Sequence, residues 1–599
     1  MVRTIGRKQL WVYALLMVVA AIGYAKYDVY QMDGDGVSFM DIAQFLRTGH
    51  AGLAINGYWN PGYPAILAAA EALTHPSLWN ELVVIRYANV AVFLMAMAAC
   101  VFFTSGLIRA RAAERTEPGT WAVSSGALHL LGLGLLVLSM GRELPIAAPR
   151  SDTLLLVFFL LAMGLFVRLF VGAGLWMYPL LGLTLGCAYL TKSFAFLPSV
   201  ALILGLLLWG ALSKRPRRAR LLTGGVLTAL TFALSAGPYI VAVSNQLHHF
   251  TTGDSARMNY AFFIDDTQRW HEWYHHTLGQ ATGPFTHPEL LIAAPPPVFS
   301  YAAHPYGTFP LWFDPAWWTA GLKPHLYLRG HILRFARNCV VFVRYLLNRP
   351  EPLVLLAVVL IFGAALRSAW RSRAPAHLWA WVPIAWGLLM LGIYFPIDLQ
   401  DRYLTGPFLL VVLSVFALLQ AKGSAAESSN TVPTIATALV MLLAWISLAQ
   451  AGTYLAERRR QTPPADQRHP GFNREVFAAA GALDRLGLTP GGRIACMGDR
   501  ACYVDPYWVR LAGAQVYAEV ETPNEADPQT EWDAIPDKAA ITQPLAKLGV
   551  QYIVTIFANS ACKPPGWIQL GHSNFFAYPL QHAVPPAEAA AVSDYQPTP

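Results

Sequence analysis

Two aspartates separated by one glycine, Asp33-Gly34-Asp35, follow the first apolar stretch of the chain and lead into Gly36-Val37-Ser38-Phe39-Met40-Asp41-Ile42-Ala43. Carboxylates are costly to hold beside lipid, and polar groups placed there usually face a cavity with a task. Asp35 can take the proton of a hydroxyl as its oxygen attacks an electrophilic carbon. Asp33 and Asp35 together also offer the oxygen ligands that a divalent cation, Mg²⁺ or Mn²⁺, accepts. Three further charges stand at the ends of apolar segments: Asp152 in Ser151-Asp152, Lys192 in Leu190-Thr191-Lys192, and Arg402 in Asp401-Arg402-Tyr403. Such cations can hold an anionic leaving group and offset the charge that grows as its bond breaks; Arg142 and Arg150 are further cations of the same kind. The plainer readings are a helix cap in a Gly-rich turn at Asp33–Gly36 and snorkelling of Lys192 and Arg402 to a membrane boundary.

The elements that must position these residues are membrane spans. The 599 residues are 55% hydrophobic and only 13% charged, with a mean hydropathy of +0.40. A typical soluble domain is about 25% charged. Apolar windows at 10–25, 82–108, 121–140, 153–167, 175–190, 194–212, 221–243, 352–366, 378–395, 404–419 and 434–452 give about eleven crossings. If each one crosses, the clusters Arg3/Arg7/Lys8, Arg109/Arg111/Arg115, Lys214–Arg218 and Arg367/Arg371/Arg373 fall on one side, which the positive-inside rule makes cytoplasmic. The N-terminus is then cytoplasmic, and the first segment reads as a retained anchor in preference to a cleaved signal peptide. The formal charge of +8 reads as topology; no basic stripe with interleaved aromatics suggests nucleic acid.

The expected fold is an all-α polytopic membrane protein carrying a small extracytoplasmic α/β domain at its C-terminal end. The membrane domain covers 1–452, with outer loops at about 26–80 and 244–351. The α/β domain covers 453–584, with apolar strands near 493–496 and 550–554 and helices near 477–486 and 544–548. Residues 585–599 read as a disordered end. Cys100 and Cys187 read as packing residues; Cys496 and Cys502 can pair outside the cell, with Cys562 as competitor.

Taken in order, the motifs resemble those of the GT-C membrane glycosyltransferases, which include protein O-mannosyltransferases and aminoarabinose transferases. The acid at Asp35 with an aromatic four positions on is similar to that family's first-loop motif. Trp59-Asn60-Pro61-Gly62-Tyr63-Pro64 is similar to its Pro-Pro-aromatic-Tyr stretch, although a Pro-started helix explains it equally. Ser151-Asp152, Leu190-Thr191-Lys192 and Arg402-Tyr403 resemble later elements. Gly36 and Phe39 stand where the family often has Glu and Tyr. The resemblance covers about residues 10–450 and implies transfer of a sugar from a polyprenyl-phosphate donor to an acceptor hydroxyl. The acceptor belongs to a glycan, lipid or protein on the outer side, and the displacement is single and inverting. It implies Asp35 as the base, Lys192 and Arg402 on the donor phosphate, and Asp33, Asp152, Tyr63 and Tyr403 around the sugar or acceptor. Branches of the family differ in their use of metal. The Ala- and Gly-rich composition points to a bacterial inner membrane with a periplasmic site.

Two other classes fit parts of the chain. A transporter or lipid-linked-sugar flippase would explain spans and membrane charges, but its site would lie near the bilayer midplane. His271-Glu272-Trp273-Tyr274-His275 matches the zinc-protease pattern H-E-x-x-H, without a third ligand at a characteristic spacing. The same loop carries Trp270, Trp273, Trp312, Trp317, Trp318, Tyr301 and Tyr306, either a platform for sugar rings or a membrane-interface belt.

Overall fold

The computed structural model describes residues 5–28, 32–114, 120–141, 143–172, 174–214, 217–265, 267, 283–347, 352, 354–356, 359, 378–422, 431–460, 475–522, 527–557 and 565–580. The H-E-x-x-H match, Arg142, Cys562, most of the expected span at 352–366 and the C-terminal end from 581 lie outside the described residues.

Apolar runs with no water to satisfy their backbone must close their hydrogen bonds internally, so they form helices. Those in the first half of the chain are α1 (Arg7–Tyr27), α4 (Leu78–Ala113), α5 (Ser125–Ser139), α6 (Asp152–Phe170), α7 (Met177–Thr191), α8 (Phe196–Leu212) and α9 (Arg217–Gln246). After the second outer loop come α12 (Leu378–Tyr394), α13 (Asp401–Leu418) and α14 (Thr431–Arg460). Seven are long and apolar enough to cross a bilayer alone, and α5, α7 and α12 are shorter apolar helices. The chain is a multi-pass membrane protein. The span expected from residue 121 instead begins at Ser125, because Thr120–Ala122 (β1) pairs antiparallel with Gln420–Lys422 (β4).

The most enclosed span is α6, with 83% of its apolar window buried, so Asp152 at its first turn stands near the bundle axis. Helix α7 lies against α9 closely enough that a Cβ on Gly182 would meet the Thr228 carbonyl at 2.2 Å. Small residues permit such crossings, and this one fixes the helix whose end carries Lys192.

Outside the bundle, the first loop forms α2 (Gly34–Arg47) and α3 (Gly62–Thr74), and the second forms α10 (Ser255–Phe263) and α11 (Leu328–Leu347). The tail begins with α15 (Glu475–Arg485) and holds most of a seven-stranded sheet in the order β2-β3-β6-β5-β7-β9-β8. Strands β5 (Arg493–Met497), β6 (Gln515–Val520) and β7 (Val550–Ile556) are parallel at its centre. Strands covered on both faces read as continuous apolar runs, which is why β5 and β7 are legible. Strands β8 (Ile568–Gln569) and β9 (Phe575–Pro579) continue one edge. The other edge is built by β2 (Glu289–Ile292) and β3 (Val298–Ser300) from the second outer loop, with β3 antiparallel to β6. The sheet is therefore shared between loop and tail. Ile494, Cys496, Tyr552 and Val554 belong to the core that continues into the bundle. On the other side, Ala495, Met497 and Ile553 pack with Trp532, Trp567 and Phe576 in a separate core.

Arg510, on the short helix α16 (Tyr507–Leu511), fastens the tail to the bundle. Its guanidinium donates to Asp41 Oδ1 of α2 at 2.5 Å and to Glu81 Oε2 of α4 at 2.9 Å, with a second bond to Glu81 Oε1. Asp41 also accepts from the Thr308 backbone N–H at 2.7 Å and its hydroxyl at 2.6 Å. One buried charge group thus joins α2, α4, the second loop and the tail. Removing one member of such a group leaves the others charged and unanswered, at a cost of roughly 3–5 kcal/mol. Arg510→Met is expected to lower the thermal midpoint of the purified protein and to make the tail sensitive to protease. A midpoint and digestion pattern matching the unsubstituted protein would show that the tail docks by other contacts. Cys496 and Cys502 form a buried disulfide; thiol labelling without reductant is expected to spare both and to modify them once the protein is unfolded and reduced.

Candidate functional site

The site assembles where four segments meet at one end of the bundle. Asp33 is the N-cap of α2, its carboxylate accepting from Gly36 N–H at 2.9 Å, as short acidic residues do at helix starts. This cap sets the turn that presents Asp35. Gly36 sits in a narrow place: a Cβ would lie 2.7 Å from Met32 Sδ and from Pro149 Cγ. A glutamate there, as the family resemblance would have it, has no room without a shift of the 149–152 turn.

Asp152 opens α6, where the unpaired N–H groups of the first turn favour a carboxylate. Lys192 caps the C-terminal end of α7. Its turn is held by Asn60, which donates to Tyr189 O at 2.9 Å and accepts from Ser193 N–H at 3.0 Å. Arg402 and Tyr403 lie in the first turn of α13.

Lys192, Asp152, Arg402 and Asp35 form one connected series of contacts, with the pair Arg150–Asp33 beside it. Lys192 Nζ donates to Asp152 Oδ1 at 2.7 Å. Arg402 Nη1 lies 3.9 Å from Asp152 Oδ2 and donates to Asp35 Oδ2 at 3.2 Å. Arg150 Nη2 donates to Asp33 Oδ2 at 2.6 Å. Lys192 also sits 4.5 Å from the centre of the Tyr403 ring, an attractive placement for a cation. Tyr403 stacks on Tyr394 with centres 4.4 Å apart, and Tyr394 stacks on Phe194 at 4.1 Å. Behind Arg402, its Nε donates to Gln400 Oε1 at 2.9 Å, Gln400 donates to Asp398 Oδ2 at 2.8 Å, and Asp398 pairs with Arg334 of α11.

Exposure separates the roles open to the acids. The Asp152 side chain is 7% exposed and is answered by two cations, so it orients them. Asp35 keeps 23% of its side chain exposed and can meet a ligand. Its recessed position raises the carboxyl above its ordinary value; the nearby Asp33 charge raises it further, and Arg402 and Arg150 pull it back.

The structure brings Asp33, Asp35, Asp152, Lys192, Arg402 and Tyr403 together at one end of the bundle. Tyr63 lies behind them, fully buried, donating to Asn89 Oδ1 at 2.7 Å. Asn89 in turn donates to the carbonyls of Ile146 and Ala148 at 2.9 Å each, which shapes the approach to Arg150 and Asp152. The sequence reading passed over Tyr58, Tyr394, Asp398, Gln400 and Arg334. Burial first, and then the Asp35 charge, raise the Tyr58 hydroxyl, which donates to Asn259 Oδ1 at 3.0 Å. Its place directly before the Trp59–Pro64 motif was the one available signal. Trp312 and Trp317 of the aromatic loop pack inward. The Trp312 carbonyl accepts from Ser38 and from the Trp59 indole, and Trp317 stacks on His287 and on His304. Neither ring forms an open platform.

Each of the three carboxylates already faces a cationic side chain, an arrangement that does not fit a bound Mg²⁺ or Mn²⁺. Among the described residues, a metal-sized grouping of His, Cys, Asp and Glu occurs at Cys496, Cys502 and Glu519, and its two cysteines share the disulfide.

No family model matches the sequence, and no curated protein matches it either. Solved structures do resemble it. ArnT from Cupriavidus metallidurans bound to undecaprenyl phosphate is similar over 96% of this chain and 99% of its own, with a TM-score of 0.52 at 12% identity. The oligosaccharyltransferase of Archaeoglobus fulgidus, in complex with Zn and sulfate, is similar over 90% of this chain and 68% of its own, with a TM-score of 0.47 at 13% identity.

Proposed function

We infer that the chain is a membrane glycosyltransferase of GT-C type, a reading supported by the fold it shares with the solved ArnT structure. We propose that it moves a sugar, hexose or pentose, from a polyprenyl-phosphate donor to an acceptor hydroxyl on the extracytoplasmic face of a bacterial inner membrane. The observation that carries this reading is the contact chain Lys192–Asp152–Arg402–Asp35, drawn from four segments onto one crevice at the bundle's outer end. A solved structure of the same fold holds a polyprenyl phosphate, and the cations here suit that chemistry.

In the proposed reaction the acceptor oxygen attacks the anomeric carbon while Asp35 removes its proton. The bond from that carbon to the phosphate oxygen breaks, and its electron pair leaves with the polyprenyl phosphate. Lys192 and Arg402 stabilise the phosphate as its charge grows. Phosphate leaves readily, so the leaving group needs no protein acid. One displacement inverts the anomeric centre. No step passes through a metal ion. The charges gather at the outer end instead of midway through the bilayer, which does not favour a transporter.

The direct test is mass spectrometry of products formed by purified protein from a panel of polyprenyl-phosphate sugars and a membrane extract. Translocation of the lipid-linked sugar across vesicles with no covalent product would overturn the reading. Asp35→Asn is expected to reduce transfer by about 10²–10⁴-fold with normal membrane insertion. Lys192→Ala and Arg402→Gln should likewise lower the rate, through the leaving group.

The pH dependence has a defined sign. Asp35 acts as base only when ionised, so kcat/KM should fall as pH drops through its raised value, above the ordinary carboxylate range near 3.8. Asp33→Asn removes the like charge that raises it and leaves Arg150 without its partner. The acid limb should therefore move to lower pH. An acid limb that stays in place would assign the base to another group.

A further inference from the structure

Helix α11 (Leu328–Leu347) presents two unlike sides. Its inward side is polar and holds the loop that leads to α13. Arg334 donates to Ile397 O at 2.9 Å and pairs with Asp398, Asn338 donates to Phe395 O at 2.8 Å, and the His331 ring meets the Tyr260 hydroxyl at 3.1 Å. These contacts set α11 at the level of the outer ends of α12 and α13, where bilayer meets water.

The outward side touches nothing of comparable character among the described residues. Leu328, Ile332, Leu333, Val340, Val343 and Leu347 are each at least 50% exposed. At about 100° per residue, they fall in one continuous sector. Arg337 and Arg344, seven residues apart and both exposed, lie along one flank of that sector. Between residues 315 and 350 the chain has no Asp or Glu. An apolar sector edged by arginines, on a helix lying at the boundary, suits the surface of a membrane. This positive flank, which has no acidic partner among the described residues, suits anionic lipid in particular.

We infer that the outward face of α11 docks on the outer leaflet of a membrane containing anionic phospholipid, with the apolar sector at the acyl boundary and Arg337 and Arg344 on the headgroup phosphates. The docked helix is also the far end of the chain Arg334–Asp398–Gln400–Arg402. The lipid surface therefore bears on where the Arg402 guanidinium stands.

The test uses the full chain in nanodiscs of phosphatidylcholine with or without phosphatidylglycerol, and it reads lipid instead of sugar transfer. Its failure would thus leave the enzymatic proposal standing. A nitroxide at Val340→Cys, in a Cys339→Ser background, should collide more often with oxygen than with a water-soluble nickel complex. Native mass spectrometry should show retained phosphatidylglycerol reduced roughly five-fold for each arginine removed in Arg337→Gln/Arg344→Gln, and restored in the corresponding double lysine variant. A water-exposed nitroxide, unchanged phosphatidylglycerol retention, or dipolar coupling between nitroxides of two copies would overturn the inference; the last would mean that protein covers this face.

Discussion

Charge placed at the edge of a bilayer must be answered locally, because lipid does not solvate it and the surrounding helices are apolar. In this protein the constraint is met by alternating signs: Lys192, Asp152, Arg402 and Asp35 form an unbroken series of contacts. Asp152 is its centre. It stands at the start of the most enclosed helix and touches both cations that the other segments supply. Without it, two positive groups would face each other across the crevice. The rest of the site follows from keeping these ends in register: Asn60 clamps the turn at Lys192, the Tyr403–Tyr394–Phe194 stack supports the cations from below, and Asp33 caps the helix that carries Asp35.

The tail takes part in the same arrangement at a distance. Arg510 binds Asp41, six residues beyond Asp35 on the same helix, and Asp41 also holds Thr308 of the second loop. The helix bearing Asp35 is therefore gripped at its N-terminal end by the crevice and along its length by the tail. The shared sheet makes the second outer loop and the tail one body, since β3 is laced into β6. A tail built this way braces the outer loops over the membrane domain.

Ten of the expected spans correspond to helices among the described residues, because a run of about 20 apolar residues has few alternatives in lipid. Two of the three central strands of the tail were legible for the same reason: β5 and β7 are apolar on both faces, whereas β6 was passed over. The two strands donated by the second loop were not legible. Val298–Ser300 is three residues long, and nothing local reveals that its partner lies more than two hundred positions away. Helix α11 was missed because its four arginines break the apolar run while its periodicity, not its mean hydropathy, carries the signal. At the site, Asp35, Lys192 and Arg402 were visible because charge at the end of an apolar segment stands out. Gln400 and Tyr394 were not, since a neutral amide and one more aromatic in a chain that is 12% aromatic carry no contrast. Tyr63 shows the limit of a motif: its residue type was noticed, but only packing reveals that it reaches the site through Asn89 and the 146–148 carbonyls.

On the proposed reading, the neutral resting network also orders the events. Arg402 donates to Asp35, and that contact lowers the basicity of the carboxylate. A donor phosphodiester offers the guanidinium a competing anion with two-point geometry, and its charge grows as the sugar leaves. As Arg402 turns to it, Asp35 loses its counter-charge and gains a nearby anion. Both changes raise its affinity for a proton, and they do so when the sugar to be attacked has just arrived. The carboxylate that restrains the cation thus becomes the stronger base once a donor phosphate draws the guanidinium away. The pairing of opposite charges that stabilises the fold at the membrane boundary would then also keep Asp35 a weak base until donor is bound.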